Sequence, residues 1–261
     1  METRELIEKV YDLALKNFET EEIKPYFKEM IRTIPEYHFT MPSSTSGKYH
    51  NKKQCGKYGQ IIHEFMQAAI VEHLLRLKHN KMLFATPIER DCIRCVPFFH
   101  DAIKCGWNGS RYTVAEHPIL AATWVKNTKV EHDIPVKYKE MIAGMCEAHS
   151  GEWNKDRSGN VIMSEPRCPR ECFVHECDIL SSRADIDWIL PQELSDLLGF
   201  TNNDASTSEE NVENYKLPFG KYKGELLVNV VKEHRDYVEW MRDKMNMNEP
   251  LKTFVHQVLS E

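Results

Sequence analysis

The sequence predicts a mostly α-helical main domain followed by a small C-terminal module of mixed α and β structure. Apolar residues recur at helical spacing through most of residues 1–200, which is typical of amphipathic helices. A polar stretch near residue 205 then separates this region from a short segment with glycine-bounded turns. A chain of 261 residues is long enough to bury a sizeable core in such an arrangement.

The helical elements follow one another from the N-terminus. Residues 3–33 carry the spacing of two helices, interrupted near Thr20, and residues 41–50 form a loop rich in hydroxyls and turn formers. A clear amphipathic helix begins at Gly59. Further helices are predicted at about residues 88–104, 116–128, 135–149, 172–187 and 191–198.

The C-terminal part is set off by residues 202–211, which have almost no apolar content and predict a mobile linker. We therefore place the main domain at 1–200, the linker at 201–214 and the module at 215–261. Within the module, residues 217–224 predict a short hairpin, and a helical pattern follows it.

Charge and hydropathy narrow the class of protein. With 34 basic and 40 acidic residues the net charge is -6, which excludes a strongly basic nucleic-acid coat protein but not a local basic patch. Neither a bilayer-spanning apolar stretch nor the apolar core of a signal peptide is evident. We expect a soluble, cytoplasmic protein without a membrane partner, and the sequence indicates no oligomeric state.

The eight cysteines are expected to remain reduced thiols. Cys92 and Cys95 form a Cys-x-x-Cys pair, which leaves a structural zinc site as the alternative. Because this is one properly spaced pair within a predicted helix, we favour ordinary buried thiols.

The candidate chemistry centres on the adjacent pair His100 and Asp101, which follows an apolar run and so should lie at the edge of a packed core. Hydrolytic metal sites need several imidazoles and carboxylates that converge from different elements and leave positions open for water and substrate. Six residues on or at the ends of predicted helices meet this description: His63, His100, Asp101, His117, His149 and Asp178.

This order resembles the HD-domain metal-dependent phosphohydrolase superfamily, whose pattern is a His, then His-Asp, then a distant Asp, often with two more His between. The match covers about residues 40–190. Residues 46–50 and 59–63 resemble the Lys-Tyr-His and Gly-Leu-x-x-His segments of one branch, and 178–183 resembles the last metal-binding helix.

The resemblance implies an HD-domain helical bundle with one divalent metal, or two that share the Asp101 carboxylate. It implies that the first metal is held by His63, His100, Asp101 and Asp178, and the second by Asp101, His117 and His149. Such ions activate a hydroxide and neutralise phosphate charge, so attack on phosphorus is the expected reaction. Manganese, iron, cobalt, nickel, zinc and magnesium all suit these ligands.

Two residues of the polar loop are candidates for catalysis and substrate binding beside Asp101. Lys48 and His50 are suited to bind phosphate oxygens or to protonate a leaving group. The alternative is an ordinary polar loop.

Two other features near the ligands have equally open interpretations. Arg183 either binds substrate phosphate or pairs with Asp178 or Asp185. The basic, irregular segment 151–170 is either a substrate lid beside His149 or a solvated connection.

The C-terminal module resembles the small domain at the end of some exonucleases, whose mark is Pro-Phe-Gly-Lys-Tyr-Lys-Gly. Residues 218–224 match it residue for residue, and Tyr237 and Trp240 fit the helix that follows. Lys221 and Lys223 would suit contact with single-stranded nucleic acid. Alternatively, the aromatics form the module's core and the lysines its solvated surface.

Three functions follow from these patterns. The leading one is a metal-dependent phosphohydrolase that cleaves phosphate esters or anhydrides of nucleotides or related small phosphorylated molecules. The second is a 3′ exonuclease or phosphodiesterase on single-stranded nucleic acid. The third is a non-catalytic, nucleotide-sensing HD protein, against which the complete ligand set argues.

Overall fold

A computed structural model describes residues 3–44, 50–156, 158–186, 190–200, 215–217, 220–245, 247 and 251–260. The chain is 61% helical, which confirms the mostly α prediction. It divides into two units, residues 1–200 and 201–261. Each unit has its own hydrophobic core.

The described part of the first unit contains nine α-helices. They are α1 (Thr3–Ala14), α2 (Ile23–Ile31), α3 (Gly59–Leu75), α4 (Lys78–Leu83), α5 (Pro87–Phe99), α6 (His117–Asn127), α7 (Val136–Ala148), α8 (Pro169–Ser182) and α9 (Gln192–Leu198). Short 3-10 helices lie at Leu15–Asn17, Glu36–Phe39 and Lys52–Cys55. Each helix expected from apolar spacing is present in this order.

The helix expected over 88–104 ends earlier than its sequence pattern. Helix α5 stops at Phe99, and successive turns follow through residue 109. Gly106 and Gly109 adopt φ values of 71° and 69°, which L side chains rarely adopt and which interrupt helical backbone. Ala102 and Ile103, which follow Phe99, are nevertheless fully buried. The apolar periodicity of the sequence therefore extends past the end of the helix.

The helices that carry the candidate ligands pack around the core of the first unit. Helix α3 packs against α5 and α8, while α7 packs against α5 and α6. Aromatic side chains fill the centre, where Phe27 stacks on Phe99 and Trp124 meets Phe99 edge-on. The Trp124 indole donates to Thr33 Oγ1 at 2.9 Å, so this large buried ring leaves no unsatisfied donor. These contacts fix the positions of the helix ends.

The second unit is helical in its described residues, with α10 (Leu227–Glu233), α11 (Arg235–Lys244) and α12 (Leu251–Ser260). The expected hairpin is limited there to one isolated antiparallel bridge between Lys216 and Leu226. The α+β character expected for the module is therefore not shown. Pro218 and Phe219 of the exonuclease-like motif lie outside the described residues, as does the whole of the predicted linker.

Motif residue Tyr222 belongs to the small core of the second unit. Its ring stacks on His234 at a centroid distance of 4.5 Å and meets Tyr237 edge-on at 4.9 Å. Trp240, by contrast, is 51% exposed. The structure thus assigns Tyr222 to packing and leaves Trp240 at the surface.

All eight cysteines are free, and Cys92 and Cys95 are buried in α5. Among the described residues, none of the helices combines the length and the apolar character required to cross a bilayer.

Candidate metal centre

Five helices bring the six candidate ligands together. His63 lies in the second turn of α3, His100 and Asp101 follow the end of α5, and His117 begins α6. His149 caps the end of α7, and Asp178 lies in α8. Placing ligands on or beside helices with a common core gives them fixed positions.

The first half of the cluster lies around His63 and His100. His63 Nε2 is 3.0 Å from Asp178 Oδ1 and 3.3 Å from His100 Nε2. His100 Nε2 is 3.5 Å from both Asp178 Oδ1 and Asp101 Oδ2. Four nitrogen and oxygen ligand atoms therefore face one small volume.

The second half shares the Asp101 carboxylate but uses its other oxygen. His117 Nε2 is 3.1 Å from Asp101 Oδ1, and His149 Nε2 is 3.8 Å from the same atom. Asp101 thus presents Oδ2 to one group of ligands and Oδ1 to the other. This is the geometry required of a carboxylate that bridges two ions.

Backbone carbonyls fix which imidazole nitrogen faces the cluster. In His100, His117 and His149, Nδ1 lies between 2.7 and 3.1 Å from a carbonyl oxygen three or four residues earlier. A carbonyl only accepts, so Nδ1 carries the hydrogen in each ring. The Val96 and Val114 carbonyls also accept the backbone amides of His100 and His117, so each of these oxygens accepts two hydrogen bonds from one residue.

His63 has the same orientation through a side chain instead of a carbonyl. The Ser181 hydroxyl donates to the Asp178 carbonyl at 2.7 Å, so its oxygen is left to accept from His63 Nδ1 at 3.3 Å. Hydrogen bonds of this kind fix the ring and raise the basicity of a metal-binding nitrogen. Ser181 is therefore a positioning residue that sequence reasoning did not identify.

Two further polar side chains support Asp101. The carboxylate is only 3% exposed, and Lys104 Nζ lies 2.5 Å from its Oδ2. The Gln60 amide donates to the same oxygen at 3.2 Å. Sequence reasoning missed both residues. The three-residue interval between Asp101 and Lys104 was the available signal, whereas Gln60 becomes a neighbour only through the packing of α3.

The charges of the cluster shift the pKa values of its members. Burial opposes ionisation of Asp101, but Lys104 and His100 outweigh it and hold the pKa of this carboxyl well below its usual range. Burial also opposes a charge on His100, yet Asp101 and Asp178 raise its pKa to about 9. Without a metal, His100 therefore holds a proton that a bound cation would replace.

His149 shifts in the opposite direction. Burial, assisted by the charge of His100, lowers the pKa of His149 to about 3. This ring is neutral at physiological pH, and its Nε2 lone pair is available to a metal.

The arrangement fits a divalent metal. Asp101 Oδ1 is buried and has no hydrogen-bond donor. The Nε2 atom of His149 faces it at 3.8 Å with a lone pair, because this ring is neutral and its hydrogen is on Nδ1. Acceptors that face one another in a buried site need a cation between them. Overlapping groups of three residues have ligand atoms within 4.8 Å of one another, so the cluster can hold a metal ion.

No family model, curated protein or solved structure matches the chain.

Of the two candidate residues in the polar loop, one lies beside the cluster and the other lies outside the described residues. His50 lies beside the cluster, with its ring centroid 5.7 Å from that of His63, and its Nδ1 is 2.8 Å from Gln54 Oε1. Since the amide oxygen accepts, Nδ1 carries the hydrogen. Lys48 lies outside the described residues.

Arg183 pairs with a neighbour rather than with the cluster. Its Nε is 2.8 Å from Asp185 Oδ1, and both side chains are more than half exposed. The sequence left open whether Arg183 binds substrate phosphate or pairs with Asp178 or Asp185. The structure shows the pair with Asp185. It lies just past the C-terminal end of α8.

The basic segment after His149 is irregular and carries an exposed aromatic side chain. Trp153 is 63% exposed, and one antiparallel bridge joins Lys155 to Val161. His175 Nδ1 donates to the His149 carbonyl at 2.6 Å, which ties α8 to the backbone of this ligand. Arg157 of this segment lies outside the described residues.

Proposed function

We propose that this chain is a metal-dependent phosphohydrolase of the HD-domain type, which cleaves phosphate esters or anhydrides of nucleotides. The observation that carries the proposal is the position of Asp101, whose two oxygens face two separate groups of imidazole and carboxylate ligands. A carboxylate that binds one ion with both oxygens would direct both of them to the same ligands, whereas here Oδ2 is near His100 and Oδ1 is near His117 and His149. Paired cations are typical of enzymes that hydrolyse phosphate esters.

The residues of the chain prepare the site for such ions. The divalent metals, when bound, would acidify a water and neutralise the charge of the phosphate. Lys104 holds the Asp101 carboxylate in its ionised form, and backbone carbonyls hold three imidazoles with Nε2 toward the centre. These groups place charge and lone pairs in advance, so little rearrangement is needed on binding.

His50 is suited to accept a proton near the reacting phosphate. Burial and the charge of His63 lower the pKa of His50 to about 4, so this ring is neutral at physiological pH. Its Nδ1 hydrogen is directed at Gln54, which leaves Nε2 as an acceptor. In the free protein this residue is therefore a base or an acceptor for a substrate hydroxyl, rather than a proton donor to a leaving group.

A metal and substrate assay tests the proposal. The chelator-treated protein is reloaded with manganese and given a panel of nucleotides and labelled single-stranded oligonucleotides. We expect metal-dependent release of phosphate or polyphosphate from nucleotides. Asp101→Asn should abolish it, whereas Asp12→Asn, which changes an exposed aspartate paired with Lys28, should retain wild-type turnover.

Three other results would contradict the proposal, and each would support a different conclusion. Stepwise loss of mononucleotides from oligonucleotides, without nucleotide hydrolysis, would support the exonuclease function. Tight nucleotide binding without any product, in fully metal-loaded protein, would support the sensing function. Full activity of Asp101→Asn would show that the cluster is not the catalytic centre.

A further inference from the structure

A cavity of about 440 Å³ lies beside the candidate metal centre. Its lining combines two cationic side chains, Lys104 and Arg111, with the hydroxyls of Ser43, Ser110 and Thr113. Pockets for small molecules have volumes of about 300 to 1,000 Å³, so this one suits a single compact ligand. Cations and hydroxyls are the groups that bind phosphate and sugar oxygens.

One side of the cavity reaches the candidate ligands. Lys104 Nζ contacts Asp101 Oδ2 at 2.5 Å and lies 3.3 Å from Ser43 Oγ. His50, which also lines the cavity, has its ring 5.7 Å from that of His63. A ligand in the cavity is therefore within reach of the candidate metal centre through its anionic end.

Another part of the lining comes from the loop 105–113, which has a fixed backbone. The Ser110 amide donates to the Cys105 carbonyl at 2.6 Å, and the Val114 amide donates to the Lys104 carbonyl at 3.0 Å. The Tyr37 hydroxyl donates to the carbonyl of Gly106 at 2.7 Å. These bonds close the loop at its base and hold its middle to the rest of the domain.

This well-held loop presents two large aromatic side chains to solvent. Trp107 and Tyr112 are each 52% exposed, although Trp124 of the same domain is fully buried in the core. Tyr112 lies between the cavity-lining residues Arg111 and Thr113, and the Arg111 guanidinium is 5.4 Å from its ring centroid. Exposed rings with a nearby arginine on fixed backbone are suited to stack on a planar base.

We propose that the loop 105–113 is a nucleobase platform, on which Trp107 and Tyr112 hold the base of a mononucleotide. The sugar and phosphate occupy the cavity, where Lys104 and Arg111 neutralise the charge. The proposal rests on the proposed function for the direction of the phosphate. A single mononucleotide is favoured over a polymer because the cavity has the volume of one small ligand.

Equilibrium binding tests this platform without relying on turnover. Chelator-treated full-length protein is titrated by calorimetry with the adenosine, guanosine, cytidine and uridine 5′-monophosphates, with ribose 5-phosphate and with a short deoxythymidine oligonucleotide. We expect at least one nucleoside monophosphate to bind about tenfold tighter than ribose 5-phosphate, in line with base stacking on aromatic rings. It should also quench tryptophan emission.

Variants then locate the effect. The double variant Trp107→Leu, Tyr112→Leu should lose the tenfold preference and most of the quenching, while its affinity for ribose 5-phosphate stays unchanged. Trp240→Leu removes an equally exposed tryptophan from the second unit and should bind like the wild type. Circular dichroism of both variants checks that the helical content is retained.

Three results would overturn the platform. They are equal binding of nucleotides and ribose 5-phosphate by the wild type, a preference that survives in the double variant, and tight binding of the oligonucleotide alone. The proposed function is tested by a separate measurement, because it would be contradicted by absence of metal-dependent phosphate release. Nucleotide binding that depends on Trp107 and Tyr112, without any hydrolysis, would therefore reject the hydrolase and retain the platform.

Discussion

Replacing Lys104 by methionine would separate the electrostatic role of this residue from its packing role. Lys104 is 7% exposed and lies 2.5 Å from the Asp101 carboxylate, which is 3% exposed. Methionine keeps the length and apolar stem of lysine and removes the ammonium group. The variant therefore leaves a buried carboxylate without its nearest positive charge.

The expected cost depends on whether metal is bound. Removing one partner of a buried ion pair destabilises a protein by about 3 to 5 kcal/mol. Because the Gln60 amide and the His100 charge still face Asp101, we expect about 3 kcal/mol, or about 6 to 12 °C in Tm. Bound divalent metal compensates the same carboxylate, so the loss should shrink to about 1 kcal/mol, similar to one lost hydrogen bond.

Scanning calorimetry of the full chain with chelator and with saturating manganese measures both losses. Lys139→Met is the matched control, because Lys139 is also buried and pairs with Asp133, away from the cluster. Its loss should be equal in the two conditions. If Lys104→Met is equally destabilised with and without metal, or not destabilised at all, the electrostatic reasoning is refuted.

Three further substitutions test local parts of the structure. Ser181→Ala removes the hydroxyl that accepts from His63 Nδ1, so the manganese affinity measured by calorimetry should fall about tenfold. In the control Ser182→Ala, the lost hydroxyl bonds only a backbone carbonyl, so the affinity should be unchanged. Equal losses of affinity in the two variants would contradict the positioning role of Ser181. Gly59 is the first residue of α3, and Gly59→Ala would place a Cβ 2.1 Å from a backbone oxygen, so this variant should have a lower Tm. Gly56→Ala adds a Cβ with no atom within 4 Å and should keep the wild-type Tm. Similar Tm values for the two variants would contradict this packing. Hydrogen bonds and charges of two arginines outweigh burial and lower the pKa of Glu19 from 4.5 to about 2. The ionised carboxylate therefore contributes its full stabilisation of the folded protein above pH 4.5, and this contribution is lost as the pH falls through 2. Glu19→Gln should therefore cost about 1 kcal/mol of unfolding free energy at pH 7, allowing for solvent screening, and nothing near pH 2; a cost independent of pH would count against this ion pair.

The helices and the candidate ligands were predictable because their signals are local. Apolar spacing reports which face of a helix is buried, and this spacing placed eight of the nine described helices of the main domain in order. The short helix α4 has no buried residue, so it gave no such signal. The candidate ligands were recognisable as His and Asp residues beside apolar runs, since polar side chains on or beside core-facing helices can converge. His100 and Asp101 are the clearest example, because they directly follow the apolar run and helix α5 ends at Phe99.

The supporting residues depend on contacts between distant parts of the chain. Gln60 reaches Asp101 across 41 positions, and Ser181 reaches His63 across 118 positions. No periodic pattern encodes such pairs. Trp107 and Tyr112 were not predictable for a different reason, because they lie in an irregular loop after α5, where the sequence has no periodic pattern.

The bridging position of Asp101 is tested most directly by metal stoichiometry. Calorimetric titration of chelator-treated protein with manganese, checked by elemental analysis after gel filtration, should give two ions per chain. Asp101→Ala should lower both affinities, since each oxygen of this carboxylate faces one group of ligands. If Asp101→Ala retains the full metal content with unchanged affinity, Asp101 does not bridge two ions, and the proposed metal centre is wrong.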